Sequence, residues 1–219
     1  MVPGSDENAV SSIELPHSRY DDLVNAATEL FSRLGYERTT VRMIADQLGI
    51  QSGSLYSHIS SKEEVLKKVV MFVGADFISR AERNRECGVT PTGTLREMCR
   101  SHLDVIDERL SAVTVYFNEW QKLEVNAQKE IIRLRERYEK NFADVVAWGI
   151  ETGEFTTPDP RPVVLVLLSA LNWTYRWYRP GGRQSPHQIA DGLLDVVLNG
   201  LVKEQAALVP GPKSRRKGA

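Results

Sequence analysis

Gln51, Ser52, Ser54, Tyr56, Ser57 and His58 are small or hydrogen-bonding side chains crowded into one short stretch, with Leu55 and Ile59 as its apolar positions. On a helix that spacing turns Leu55 and Ile59 inward and leaves an outer face of donors and acceptors. The chemistry open to such a face is hydrogen bonding to base edges and phosphates, and its dimensions suit a DNA major groove. Gly53 carries no side chain, so backbone and DNA can approach each other there. Farther on, Lys62 falls in the first turn of a helix, where the dipole disfavours its charge. A phosphate partner would account for it.

The elements that must hold this face are written on either side of it. Val41, Ile44, Ala45 and Leu48 share one face of a helix with a period near 3.6 residues. Thr40 is placed to cap that helix, and Gly49 is free to take the positive φ that ends it and turns the chain. Ala45 is small where two helices cross. Ile50 and Leu55 plug the space between them, while Ser52 is placed to accept a bond from an orphan amide at the start of the second helix. Ser61 followed by Glu64 is a capping box, opening a long helix through Val65, Leu66, Val69 and Val70.

Taken whole, Tyr20 to Lys68 resembles the TetR family of bacterial regulators. LVNAATELFSRLGYERTTV, then IADQLGIQSGSLYSHI, then SKEEVL occur in order and at that family's separations. The resemblance implies phosphate contacts from Thr40, Ser52, Tyr56, His58 and Lys62, with Arg42, Gln51, Gly53 and Ser54 near base edges or the flanking backbone. Phosphate contacts position and base contacts specify. Ile59 stands where the family more often has phenylalanine, a core change that leaves the outer face intact.

The chain has 219 residues, 42% of them hydrophobic, enough for one or two globular domains with a sizeable core. Its longest apolar run, Val163 to Leu168, is far too short to span a bilayer, and the polar first residues lack a secretory signal, so the expected location is cytoplasmic. Cys87 and Cys99 alone give no disulfide framework. The net charge of −1 is not that of a strongly basic DNA-binding protein. Charges are nevertheless sorted: between Arg38 and Lys62 the only acid is Asp46, so the contact surface is mildly positive. Affinity per subunit should be modest and salt-sensitive, and two copies on one operator would offset that.

From Met71 onward every segment longer than a turn has helical periodicity, and the chain reads as all-α. Gly88 to Pro91 ends the long helix, and Thr92 is placed to cap one running through Leu95, Met98, His102, Val105 and Ile106. A segment from about Ser111 to Leu123 follows, then a helix from Gln128 to Glu151 stopped by Gly153. Pro162 starts a helix ending at Tyr178. The last starts near Ser185, with Pro186 at its first position, and carries Ile189, Leu193, Val197 and Leu201 on one stripe.

The expected organisation is a leader at 1–17, a three-helix helix-turn-helix domain at 18–62, a helical effector-binding and dimerisation domain at 63–203, and a basic tail at 204–219. The leader and tail are expected to be disordered. The tail, with Lys213, Arg215, Arg216 and Lys217, would add nonspecific attraction to DNA. The TetR resemblance implies a homodimer through the Pro162–Tyr178 and Ser185–Lys203 helices, and hence a palindromic operator.

Catalysis is not expected. The one Glu-x-x-His unit, Glu14 to His17, lies in the leader, and no nucleophile elbow or phosphate loop appears. Cys99 and His102 lie one helical turn apart but lack a third ligand, so no metal or other cofactor is expected. The resemblance implies a small-molecule effector among inward-facing aromatic residues, including Phe72, Phe77, Tyr138, Phe142 and Trp148. His102, Phe117, Trp120, Trp173, Arg176 and Trp177 are its candidate contacts. The segment Arg176 to Gly182, RWYRPGG, resembles a subgroup of the family that answers to acyl-coenzyme A thioesters, an apolar cavity beside phosphate-binding arginines being chemically sensible. The reading is therefore a repressor released from DNA by a small hydrophobic or acyl-coenzyme A effector. The alternative is a helical small-molecule binder without DNA readout.

Overall fold

The computed structural model describes residues 19–55 and 59–200, and the expectations for the leader, the basic tail, Leu201 to Lys203, Tyr56, Ser57 and His58 lie outside them. All of the regular structure among the described residues is helical. A head is formed by α1 (Arg19–Leu34), α2 (Val41–Leu48) and α3 (Ser52–Leu55). The body comprises α4 (Lys62–Cys87), α5 (Pro91–Glu108), α6 (Leu110–Glu119), α7 (Val125–Glu151), α8 (Pro160–Trp173) and α9 (Pro186–Asn199).

Short-range capping chemistry sets most of these boundaries. The Thr40 hydroxyl accepts the Met43 amide, and Gly49 closes α2 in the left-handed region at φ 67°. Ser61 accepts the Glu64 amide at 3.0 Å, while the Glu64 carboxylate reaches back to the amide and hydroxyl of Ser60 at 2.8 and 2.6 Å. Ser185 and Gln188 form a full capping box around Pro186. Three boundaries differ from expectation. Thr90, not Thr92, caps α5, because Pro91 suits the first helical position and leaves the Gly93 amide for the Thr90 hydroxyl. Asp159 caps α8, which starts at Pro160, two residues earlier than the expected Pro162. At its other end α8 stops at Trp173 and tightens into a 3-10 turn over Thr174–Arg176. Ser52 is itself the first residue of α3.

One continuous apolar core runs through both parts, from Leu23, Ala27 and Phe31 of α1 across Ile44, Leu55 and Leu66 to Phe142, Leu167 and Leu194. Each fully buried leucine or phenylalanine in it contributes about 1.5–3 kcal/mol. The chain that follows α7 folds back closely on it: a Cβ at Gly149 would lie 2.1 Å from the Phe155 ring, so only glycine fits. Head and body also meet through a polar contact, Lys122 lying 3.8 Å from Glu37, while within the body the Glu124 amide donates to Glu63 at 2.7 Å.

Charged residues in the body are largely engaged with one another. Arg96 and Arg100 of α5 grip Asp191 of α9 at 3.1 and 2.7 Å, and hold its carboxyl below the usual range. Arg80 and Arg109 close on Asp76, each at 2.9 Å. Burial pushes that carboxyl up, but the two guanidinium groups outweigh it and hold it low.

Candidate functional site

At the head, α1 and α2 form a packed support, with Ile44, Ala45 and Leu55 wholly buried and Ile59 nearly so. On the other side Thr40, Arg42, Gln51, Gly53 and Ser54 are exposed and Ser52 is half-exposed. A Cβ added at Gly53 would meet nothing within 4 Å, so its bareness serves no internal packing. Arg42 reaches only to Asp46, at 3.9 Å, with both side chains well exposed. That pair is weak, and it leaves the guanidinium available. Thr40 accepts a bond through its hydroxyl oxygen and keeps its proton to donate outward. The expected inward and outward assignments in α3 therefore hold for Gln51 to Leu55.

Lys62 departs from the expected explanation. Its ammonium donates to the carbonyl oxygens of Tyr36 and Thr39, both at 2.8 Å, and lies 4.0 Å from the centre of the Tyr36 ring. The position is thus accounted for inside the protein: Lys62 ties the first turn of α4 to the link between α1 and α2. Two of the three ammonium hydrogens are engaged in this way. No local sequence signal could have revealed this brace, since its partners stand 26 and 23 residues away.

The six expected effector contacts fall into separate places. His102 is buried at the meeting of α4, α5, α7 and α8. Its ring stacks on Phe77 at 4.6 Å, and its Nδ1 lies 2.8 Å from the Tyr138 hydroxyl oxygen. Burial pushes its pKa down to about 3, so the ring is neutral. Phe117 is half-buried and stacks on Tyr175 at 5.0 Å. Trp120, also half-buried, lies under the Arg135 guanidinium at 4.4 Å, near the head. Trp173, Arg176 and Trp177 are on the surface, the tryptophans 61% and 47% exposed, with Arg176 held 5.7 Å above the Trp173 ring. The structure thus groups His102 with Phe117 through Phe77, and Trp173 with Arg176. Tyr175, 5.9 Å from the Arg176 guanidinium, links the two groups.

Phe72 does not face inward as expected. It is 52% exposed, with the Arg109 guanidinium 4.9 Å from its ring. It lines a cleft of about 640 Å³ between head and body with Val24, Asn25, Val69 and Leu110. Cys99 is buried, and burial pushes its thiol up to about 12.

A second uncovered surface lies on the last two long helices. Leu165, Val166, Trp173 and Val196 keep 49, 60, 61 and 54% of their surface exposed, an apolar face of the kind that marks an interaction site. No helix among the described residues is long and apolar enough to cross a membrane.

Residues 23–69 match the family described as bacterial regulatory proteins, tetR family, and residues 88–201 match the family described as tetracyclin repressor-like, C-terminal domain. The chain is 32% identical to the transcriptional repressor KstR2 of Mycobacterium tuberculosis over 86% of its own length and 95% of that protein's. The structure of that ketosteroid regulator superposes with a TM-score of 0.78 at 31% identity, covering 85% of this chain and 96% of the other. AibR, solved with isovaleryl coenzyme A and operator DNA, shares the fold at a TM-score of 0.73 and 23% identity, covering 82% and 97%.

Proposed function

Because the chain belongs to the tetR family of bacterial regulatory proteins, we propose that it is a repressor that binds a palindromic operator as a homodimer and leaves it when an acyl-thioester effector binds the body. The observation that carries the DNA half is the head's exposed polar face, Thr40, Arg42 and Gln51 to Ser54, set on a wholly buried apolar support. The family resemblance assigns Tyr56, His58 and Lys62 to the same contact. Residues 18–62 form the reading head and 63–203 the effector and dimerisation domain.

Uncovered apolar residues on α8 and α9 support the dimer. Their counterparts in a second copy would remove them from water and place two heads about one DNA turn, roughly 34–36 Å, or more apart. The effector reading rests on the chain of rings from Arg176 and Tyr175 through Phe117 to Phe77 and His102. Arginine at the surface suits the phosphates of a coenzyme A group, and the aromatic interior suits an acyl chain. AibR, with isovaleryl coenzyme A and operator DNA, illustrates that one fold can carry both partners. The effector acts only through its different affinity for DNA-competent and DNA-incompetent head spacings.

DNase footprinting of DNA upstream of the chain's own coding region tests the reading. A protected palindrome that vanishes on adding an acyl-coenzyme A supports it; no protection at moderate salt overturns it.

A further inference from the structure

The His102 ring holds an unmet hydrogen-bonding atom at the centre of the body. Nε2 is buried without a partner, the sole such side-chain nitrogen or oxygen among the described residues. The Leu171 carbonyl lies near the ring and favours its protonation, but it already accepts both the amide and the hydroxyl of Thr174.

The tautomer follows from the neighbours. If the Tyr138 hydroxyl donates to Nδ1, its own proton is met and the ring hydrogen sits on Nε2, leaving one orphan donor. The opposite arrangement would leave both the tyrosine proton and the bare Nε2 unmet. A buried donor without an acceptor is costly, and proteins keep one where another molecule meets it.

The surroundings identify that molecule. Tyr175 stacks on Phe117, Phe117 lies 6.4 Å from Phe77, and Phe77 stacks on His102. Phe117 is only half-buried, so the rings packed between His102 and Arg176 reach toward the surface. Burial keeps the ring uncharged, and a neutral N–H suits a neutral oxygen better than a carboxylate, which would call for an imidazolium.

We propose that the Nε2 hydrogen of His102 receives the thioester carbonyl oxygen of the effector, making His102 the residue that selects acyl thioesters over equally apolar ligands lacking that oxygen. The inference rests on the acyl-thioester reading given above. A pantetheine arm with its phosphates at Arg176 would follow the ring path and bring the carbonyl inward.

Calorimetric titration of the full chain with decanoyl-coenzyme A and with S-decyl-coenzyme A, the thioether without the carbonyl, tests it. The unaltered protein should bind the thioester about tenfold more tightly, the equivalent of one neutral hydrogen bond. His102→Phe should abolish that preference while still binding the thioether, which also reports an intact fold. His102→Gln, which restores a donor, should recover part of the preference. Equal affinity of the unaltered protein for the two ligands would overturn the role of His102 while leaving the effector class standing. Binding of neither would overturn the effector class and this inference with it.

Discussion

The head and the body use their polar residues in opposite ways. In the body, arginines are locked onto carboxylates: Arg96 and Arg100 on Asp191, Arg80 and Arg109 on Asp76. In the head, Gln51, Gly53, Ser54 and Arg42 face water, and Arg42 has only a loose contact. Charges committed to a partner inside the same chain hold helices together; exposed polar groups on a rigid support can meet another molecule. Lys62 is the exception that joins the two, since from the first turn of α4 it braces the head.

The contrast can be broken most forcefully through the head's support. Leu55 is wholly buried, and Leu55→Ala should cost about 2–5 kcal/mol. Hydrogen exchange should show lost protection concentrated in α1 and α2, with operator binding abolished and α7 little changed. Equal loss across α7 would mean that head and body melt as one unit.

Acid should expose the body's weak point. His102 has a folded pKa near 3, below its unfolded value, so the unfolded chain binds the extra proton and stability falls as pH drops below about 6.5. The loss should approach about 2 kcal/mol between pH 6.5 and 4.5, at a limiting slope of about 1.4 kcal/mol per pH unit. Urea titrations of the unaltered protein and His102→Phe should diverge over that window, with the variant the flatter of the two. Parallel curves would contradict a buried neutral histidine.

Lys62→Ala removes two bonds from a charged donor, and should lower head stability by about 1–2 kcal/mol besides weakening DNA binding. A variant that binds operator normally would show that the brace has no bearing on readout. The smallest stability effect belongs to Gly53→Ala. With open space around it, an added methyl group should be neutral or stabilising by up to about 1 kcal/mol, yet it should weaken operator affinity where backbone meets DNA. Thermal melts beside anisotropy titrations separate the two effects.

What could be read from residues alone follows the range of the interactions. Thr40, Gly49, Ser61 with Glu64, and Ser185 with Pro186 act over four residues or fewer, and each is legible, whereas the Gln188 half of the last capping box emerges only in the structure. The inward turn of Leu55 and Ile59 is legible too. The cap of α5 differs from expectation because Pro91 opens the helix and so gives the cap to Thr90, a proline signal that the placement of Thr92 leaves out. The surface placement of Phe72, Trp173 and Trp177 was not legible, since an aromatic residue at helical spacing reads as core whichever way its helix is rotated. The orphaned Nε2 of His102 depends on four helices meeting and on the Leu171 carbonyl being occupied by Thr174, which no periodicity records.

Photocrosslinking from position 54 tests the central claim most directly. A photoreactive residue in place of Ser54, on the outer face of α3, should crosslink to bases in both halves of a protected palindrome, and free acyl-coenzyme A should suppress the product. Crosslinks from Lys213 to Lys217 with none from position 54 would contradict the account, because DNA would then be held by the basic tail instead of by the head.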